Sequence, residues 1–158
     1  MMQKSKGFTI LELIIVIAII GSLIVASSSL TNSWIDGVQI RNAASAFQSS
    51  VLKAKTTALR NANSRGIGDT AAGVCIDDNV ITVVAFPSTS SCTATDRVLI
   101  KRTAISNGVE IKENDDTAVS CLFFTSSGLL VATTGCVSDI SQDFVVEKNN
   151  ESTTVTLI

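Results

Sequence analysis

The sequence has no histidine, no tyrosine and a single proline, Pro87, in 158 residues. Without histidine the chain cannot form a Ser-His-Asp or Cys-His nucleophile system, or a zinc site with a histidine ligand. Its 4 cysteines show no Cys-x-x-Cys spacing, which argues against a zinc ribbon and against a thioredoxin-type dithiol. These absences predict a protein that is not an enzyme and that has no metal and no cofactor.

Two further patterns could suggest catalysis, and each has a simpler structural explanation. Gly66-Ile67-Gly68 does not follow a clear strand or open a helix, so it is interpreted as a loop and not as a nucleotide-binding motif. Asp77-Asp78 pairs two carboxylates, but a tight turn is sufficient to explain them. No nucleophile, base and metal constellation remains to support an enzyme.

The most informative pattern lies at the N-terminus. The stretch Gly7-Phe8-Thr9-Ile10-Leu11-Glu12 follows a short basic leader and enters a long apolar segment. The span Phe8–Leu30, of about 23 residues, would rise roughly 34 Å as a helix and could cross a bilayer core. An unpaired ionised carboxylate is costly in hydrocarbon, so Glu12 should have a partner or a function.

An ordinary secretory signal peptide is the alternative interpretation of this segment. It also has a basic start and an apolar core, and Ala26-Ser27-Ser28 offers small residues for cleavage. Two features oppose it. An ordinary signal peptide has no reason to carry Glu12, and helical character continues well beyond the apolar run.

The helix predicted from Phe8 extends to about Asn61, because no proline interrupts it. Past Trp34 the pattern becomes amphipathic, and we expect the apolar stripe to pack on the chain's own domain. The polar segment Asn63-Ser64-Arg65-Gly66 predicts the end of the helix. The stripe consists of Ile40, Ala44, Phe47, Val51, Ala54 and Ala58.

After Gly66 the hydrophobic period changes to two and β-branched residues dominate, which predicts strands. Four pairs of strands, each flanking a turn, predict an α+β protein with an antiparallel sheet after one long helix. The predicted pairs are 73–76 with 80–86, 98–102 with 109–112, 121–125 with 129–132, and 144–147 with 153–158.

The even number of cysteines in an exported domain predicts two disulfides. Sequence alone permits three pairings. We favour Cys75–Cys92 and Cys121–Cys136, because each pair brackets a short strand-turn segment and would close a small loop.

The N-terminal pattern of glycine, aromatic, polar residue, aliphatics and glutamate resembles the processing signature of type IV pilins and type II secretion pseudopilins. The sheet-rich tail and the element Phe124-Thr125-Ser126-Ser127-Gly128 are similar to the GspH/FimT (FimU-like) group of minor pilins and pseudopilins. The chain departs from many pilins in one respect. It has Gly21 and serines where many pilins carry a proline in the apolar helix.

The resemblance implies that prepilin peptidase cuts after Gly7 and that the new N-terminus, Phe8, is then N-methylated. It implies that Glu12 neutralises a terminal amine during filament assembly. The expected partners are the peptidase/N-methyltransferase, other minor and major pilins, and the inner membrane before assembly. The expected segments are a leader at 1–7, a transmembrane and filament-core helix at 8–30, an amphipathic helical half at 31–65, and a periplasmic or extracellular β domain at 66–158.

Three functions follow from the resemblance. The leading one is a minor pilin that initiates, primes or caps a pilus. The second is a type II secretion pseudopilin. The third is a DNA-binding pilin, which relies on a basic Gly-Arg-x-Arg element that this C-terminus lacks.

Charge argues against nucleic acid as a partner. Removal of Lys4 and Lys6 with the leader reduces the 12 basic residues to 10, against 14 acidic ones. Phosphate contacts need Lys or Arg. The cluster Arg97, Lys101 and Arg102 is interpreted as a solvated strand face.

Overall fold

The computed structural model describes residues 9–88, 90–133, 136–137 and 143–157, without the side chains of residues 26–30. It contains one long helix followed by strands. The helix α1 spans Ile10–Arg60. The strands are β1 (Thr70–Asp77), β2 (Val80–Ala85), β3 (Val98–Ala104), β4 (Glu110–Glu113), β5 (Cys121–Thr125), β6 (Leu130–Val131), β7 (Asp143–Lys148) and β8 (Glu151–Thr156).

The chain divides into two compact units between Ile35 and Asp36, and α1 contributes residues to both. The α+β architecture is confirmed: a helix packs on antiparallel strands. The helix ends at Arg60, three residues before the predicted stop segment.

The end of α1 is set by Asn61. This residue has a positive φ of 42°, a conformation that asparagine tolerates better than most side chains. Its amide group accepts a hydrogen bond from the Arg65 backbone N–H (2.7 Å) and donates one to the Arg65 carbonyl (2.8 Å). The asparagine therefore ends the helix and fixes the loop that follows.

The strands form two antiparallel sheets. The first has five strands in the order β3-β2-β1-β5-β6, and the second has three in the order β4-β7-β8. Three predicted hairpins are confirmed, because β1 pairs with β2, β5 with β6, and β7 with β8.

The predicted hairpin of 98–102 with 109–112 is wrong. In the structure β3 pairs with β2, while β4 pairs with β7 in the other sheet. The turn at Asn107-Gly108 does form, with Gly108 at a φ of 77° and the Val109 N–H donating to the Ser106 carbonyl (3.3 Å). This turn carries the chain from one sheet to the other. The sequence of a turn predicts that the chain reverses there, but it does not specify which strand each flanking strand pairs with.

The main core lies where the second half of α1 meets both sheets. The predicted stripe of α1 is buried, with Phe47, Ala54 and Ala58 at 0% exposure. Phe47 packs edge-on against Phe144 of β7, with ring centroids 5.4 Å apart. One cluster thus joins α1 to side chains of both sheets.

A polar cluster around Asp36 lies at the start of this packed half of α1. Asp36 accepts a hydrogen bond from Asn149 (2.7 Å) and pairs with Lys148 (3.3 Å), which also donates to Gln39. The hydrogen bond from Asn149 is the main reason that the pKa of Asp36 lies below its usual value. Lys148 lowers this pKa further, although partial burial of the carboxylate opposes the shift. The β7–β8 turn is thereby held to α1.

A second charge cluster joins β4 to β7. Glu110 and Glu147 lie directly opposite each other in the register, an arrangement that alone would be repulsive. Lys112 pairs with both carboxylates, at 3.3 and 2.6 Å, and with Asp116 at 3.0 Å. The hydrogen bond with Glu147 is the main reason that the pKa of Lys112 is raised well above its usual value. The lysine cancels the repulsion between the two glutamates.

Candidate functional site

The described structure begins at Thr9 with a capping box, two residues after the predicted cleavage position. The Thr9 N–H donates to Glu12 Oε2 (3.0 Å), and the Glu12 N–H donates to Thr9 Oγ1 (3.2 Å). The Thr9 hydroxyl also lies 3.1 Å from Glu12 Oε2. These reciprocal bonds satisfy N–H groups that the first turn of a helix leaves open. Glu12 therefore caps α1.

Gly7 and Phe8, the predicted cleavage and methylation residues, lie outside the described residues. The amine that the resemblance assigns to Glu12 lies there too. The capping role was missed from the sequence, although Thr9-Ile10-Leu11-Glu12 carries the required threonine and glutamate three residues apart. The assembly role of Glu12 stays a prediction.

The first turns of α1 expose an unusual amount of apolar surface. Every residue from 10 to 25 is exposed, including Ile10 at 81%, Ile17 at 58% and Val25 at 75%. Soluble proteins do not usually expose contiguous apolar surface of this kind. Where such a surface is exposed, it marks a site for contact with other molecules.

Within the described residues, no helix combines the length and the hydropathy that a bilayer crossing requires. The predicted transmembrane segment at 8–30 includes Phe8 and the side chains of 26–30, which the description leaves out. That segment stays a prediction.

The predicted disulfides are confirmed. Cys75 bonds to Cys92 with a Cα separation of 5.8 Å, and Cys121 bonds to Cys136 with a Cα separation of 4.5 Å. All four cysteines belong to a small cluster with Val84, Phe86 and Phe123, separate from the main core. Phe86 and Phe123 pack edge-on in this cluster, with centroids 5.2 Å apart. The disulfides thus attach two connections to the five-stranded sheet.

The element 124–128, which carried the resemblance to one pilin group, forms the turn between β5 and β6. The Gly128 N–H donates to the Thr125 carbonyl (2.8 Å), and Gly128 has a φ of 79°. A Cβ at this position would lie 3.0 Å from Leu59 of α1. Glycine is required here both for its backbone conformation and for close contact with the helix.

The three basic residues of the predicted solvated face do not form one patch. Lys101 donates to Ser49 of α1 (3.2 Å). Arg97 and Arg102 instead line a cleft of about 540 Å³, which also contains Asp77 and Asp78 and the disulfide cysteines Cys75, Cys92 and Cys121. Mixed charge in the cleft gives no continuous basic track for a nucleic-acid backbone. No group of three His, Cys, Asp or Glu side chains within the described part of the chain could hold a metal ion.

A known family model matches the start of the chain. The prokaryotic N-terminal methylation motif aligns with residues 2–28, a span that contains Gly7, Phe8 and Glu12. No curated protein and no solved structure matches the chain. The motif is a substrate of prepilin peptidase, and it supports a type IV pilin-like or pseudopilin subunit. It indicates a structural protein and not an enzyme family.

Proposed function

We propose that this chain is a minor type IV pilin of the GspH/FimT group, which helps to initiate, prime or cap a pilus through helix-core and head-domain contacts. The observation that carries the proposal is the methylation motif at residues 2–28, which includes the exposed apolar turns of α1 at residues 10–25. The tight turn at Thr125–Gly128 supports the assignment to this group.

The exposed aliphatic side chains of α1 need an apolar environment that the described part of the chain does not supply. Full burial of one such side chain is worth about 1.5–3 kcal/mol. The inner membrane would provide this environment before assembly, and the helices of neighbouring pilins would provide it afterwards. In this proposal α1 is anchored in the membrane first and enters the filament core later.

Cleavage after Gly7 would create an amine on Phe8, next to the capping threonine. An ammonium and a carboxylate are each costly alone in an apolar core, and each stabilises the other. Glu12 is the only acidic residue between Phe8 and Leu30. We propose that it pairs with a Phe8 amine, within one subunit or between neighbours.

Substitution at residue 12 tests this role. Glu12→Ala should still be cleaved and inserted into the membrane, but its amount in sheared filaments should fall at least about tenfold, because breaking a buried ion pair costs about 3–5 kcal/mol. Thr9→Ala is the matched control, since it removes the hydroxyl half of the capping box and keeps the carboxylate. It should be incorporated much better than Glu12→Ala. Equal losses would mean that Glu12 acts only as a cap.

Intact-mass spectrometry of protein from sheared surface filaments tests the function itself. A chain that begins at N-methylated Phe8 and lacks about four hydrogens for two disulfides would support a pilus subunit. Recovery of the processed chain only from membranes would favour the alternative, a type II secretion pseudopilin. A chain that begins near Ser27 would contradict both.

A further inference from the structure

The two disulfides start from adjacent positions on one face of the five-stranded sheet. Cys75 of β1 and Cys121 of β5 are direct partners in the register of these antiparallel strands. The Ile76 N–H donates to the Ser120 carbonyl (2.8 Å), so the flanking pair 76/120 carries the hydrogen bonds. Cys75 and Cys121 therefore form a non-hydrogen-bonded pair, in which side chains approach most closely.

This pair has the spacing of a disulfide. Cα atoms in non-hydrogen-bonded antiparallel pairs are about 4.5 Å apart, and disulfides span Cα separations of about 4.4–6.8 Å. Cys121–Cys136 already bridges a Cα separation of 4.5 Å. A bond between Cys75 and Cys121 would thus fit the existing pairing of β1 and β5.

The cleft described above gives a reagent access to Cys92, which is partly exposed, whereas Cys75 and Cys121 are buried. Cys75, Cys92 and Cys121 line it together with Arg97 and Arg102. Neither arginine forms an ion pair with any residue in the described ranges. The two arginines offset the carboxylates of Asp77 and Asp78 in the same cleft. A thiolate, which is the attacking species in thiol–disulfide exchange, therefore meets no net negative charge there.

We propose that this cleft is a thiol–disulfide exchange site, at which an external dithiol converts the two native disulfides into a single Cys75–Cys121 bond. A thiolate of the dithiol attacks Cys92 Sγ, forms a mixed disulfide and releases the Cys75 thiolate. That thiolate attacks Cys121 Sγ, which breaks the second native disulfide and releases the Cys136 thiolate.

The second thiol of the reagent then completes the exchange. It attacks the reagent's sulfur atom in the mixed disulfide, which closes a disulfide within the reagent and releases the Cys92 thiolate. The reagent loses two electrons and two protons, and Cys92 and Cys136 gain them as thiols. One of the two protein disulfides is thereby reduced, and the remaining one lies across β1 and β5.

The product keeps its main core. The contacts of α1 with both sheets belong to a cluster that contains none of the cysteines. What changes is the attachment of Cys92 and Cys136, which lose their bonds to the strand cysteines. The exchange would thus release Cys92 and Cys136 as thiols in a domain that stays folded, with Val137 still buried in the main core, and it does not depend on whether the chain serves a pilus.

A double variant tests whether the new bond forms. Cys92→Ser/Cys136→Ser leaves Cys75 and Cys121, and in the exported full-length chain these should form an intramolecular disulfide, seen by mass spectrometry of non-reduced peptides after alkylation. The matched control Cys75→Ser/Cys121→Ser leaves the two connection cysteines, which should stay open to alkylation. Free Cys75 and Cys121 in the first variant, or equal bond yields in both, would overturn the proposal.

A titration of the unaltered chain tests the same step without any substitution. Limiting dithiothreitol followed by alkylation should yield a two-electron-reduced species with labels on Cys92 and Cys136 and a cross-link between Cys75 and Cys121. Labels on Cys75 and Cys92 beside an intact Cys121–Cys136 bond would overturn the proposal. So would any cross-link between Cys92 and Cys121.

Discussion

The first half of α1, residues 10–35, and its second half, residues 36–60, use their apolar side chains differently. In the first half aliphatic residues lie on every side of the helix from residue 10 to residue 25, and they are exposed. In the second half most of them form one stripe that is buried in the main core, while Leu52 and Leu59 stay exposed. A stripe is what one helix needs to fold against its own sheet, whereas apolar residues on all sides serve contacts with other molecules.

Truncation of one apolar side chain in each half should produce the largest contrast. Phe47→Ala removes a fully buried ring that packs on Phe144, and it should lower the free energy of unfolding by about 3–5 kcal/mol. Ile17→Ala should change it by less than about 0.5 kcal/mol, because that side chain is 58% exposed.

The free energy of unfolding of both variants can be measured by urea unfolding of the full chain in detergent, with the protease sensitivity of the β domain as the signal. Similar destabilisation by the two substitutions would mean that the first half of α1 does stabilise the fold. The comparison between the two halves would then fail.

Glycine substitutions extend the comparison from the two halves of α1 to the β domain. A Cβ on Gly73 of β1 would lie 2.6 Å from the Phe123 ring and 2.8 Å from the Leu122 carbonyl oxygen, so Gly73→Ala should destabilise the protein by about 1–3 kcal/mol. A Cβ on Gly21 would meet nothing within 4 Å. Gly21→Ala should be neutral or stabilise α1 by up to about 1 kcal/mol.

Thermal unfolding of the two glycine variants by circular dichroism, in the same detergent, tests this expectation. An unchanged melting temperature for Gly73→Ala would contradict the tight contact between β1 and β5.

The smallest expected effect concerns Asp36, where the packed half of α1 begins. The pKa of Asp36 is lowered in the folded state, so its ionised form stabilises the fold. This contribution is complete above the ordinary value of 3.8 and is lost as the pH falls through the lower folded value. Asp36→Asn should therefore reduce stability at pH 7 and have little effect near pH 2. A constant difference between the variant and the unaltered chain at both pH values would contradict the shift.

Periodicity was sufficient to predict the local elements. The change from all-round apolar residues to a stripe in α1, and then to a period of two after Gly66, predicted the helix, its buried face and three hairpins. The cysteine pairing was also predicted, because each bond closes a short loop of neighbouring residues. All of these features depend on residues that are close in the sequence.

Non-local pairing was not predictable. The strand β3 joins β2 across a long connection and β4 joins β7 in a second sheet, and no residue near either strand specifies that partner. The cross-strand alignment of Cys75 with Cys121 depends on the same kind of distant register. The capping box at Thr9 and Glu12 was different, since its signal was present in the sequence and was missed.

The two disulfides also limit how far the chain can be stretched. They enclose sequence separations of 17 and 15 residues, so a force that unravelled the β domain would extend it about 100 Å less than a fully reduced chain. A single bond between Cys75 and Cys121 would enclose about 46 residues and withhold about 150 Å of contour length. The pairing of the four cysteines thus sets the maximum length to which this domain can be extended under force.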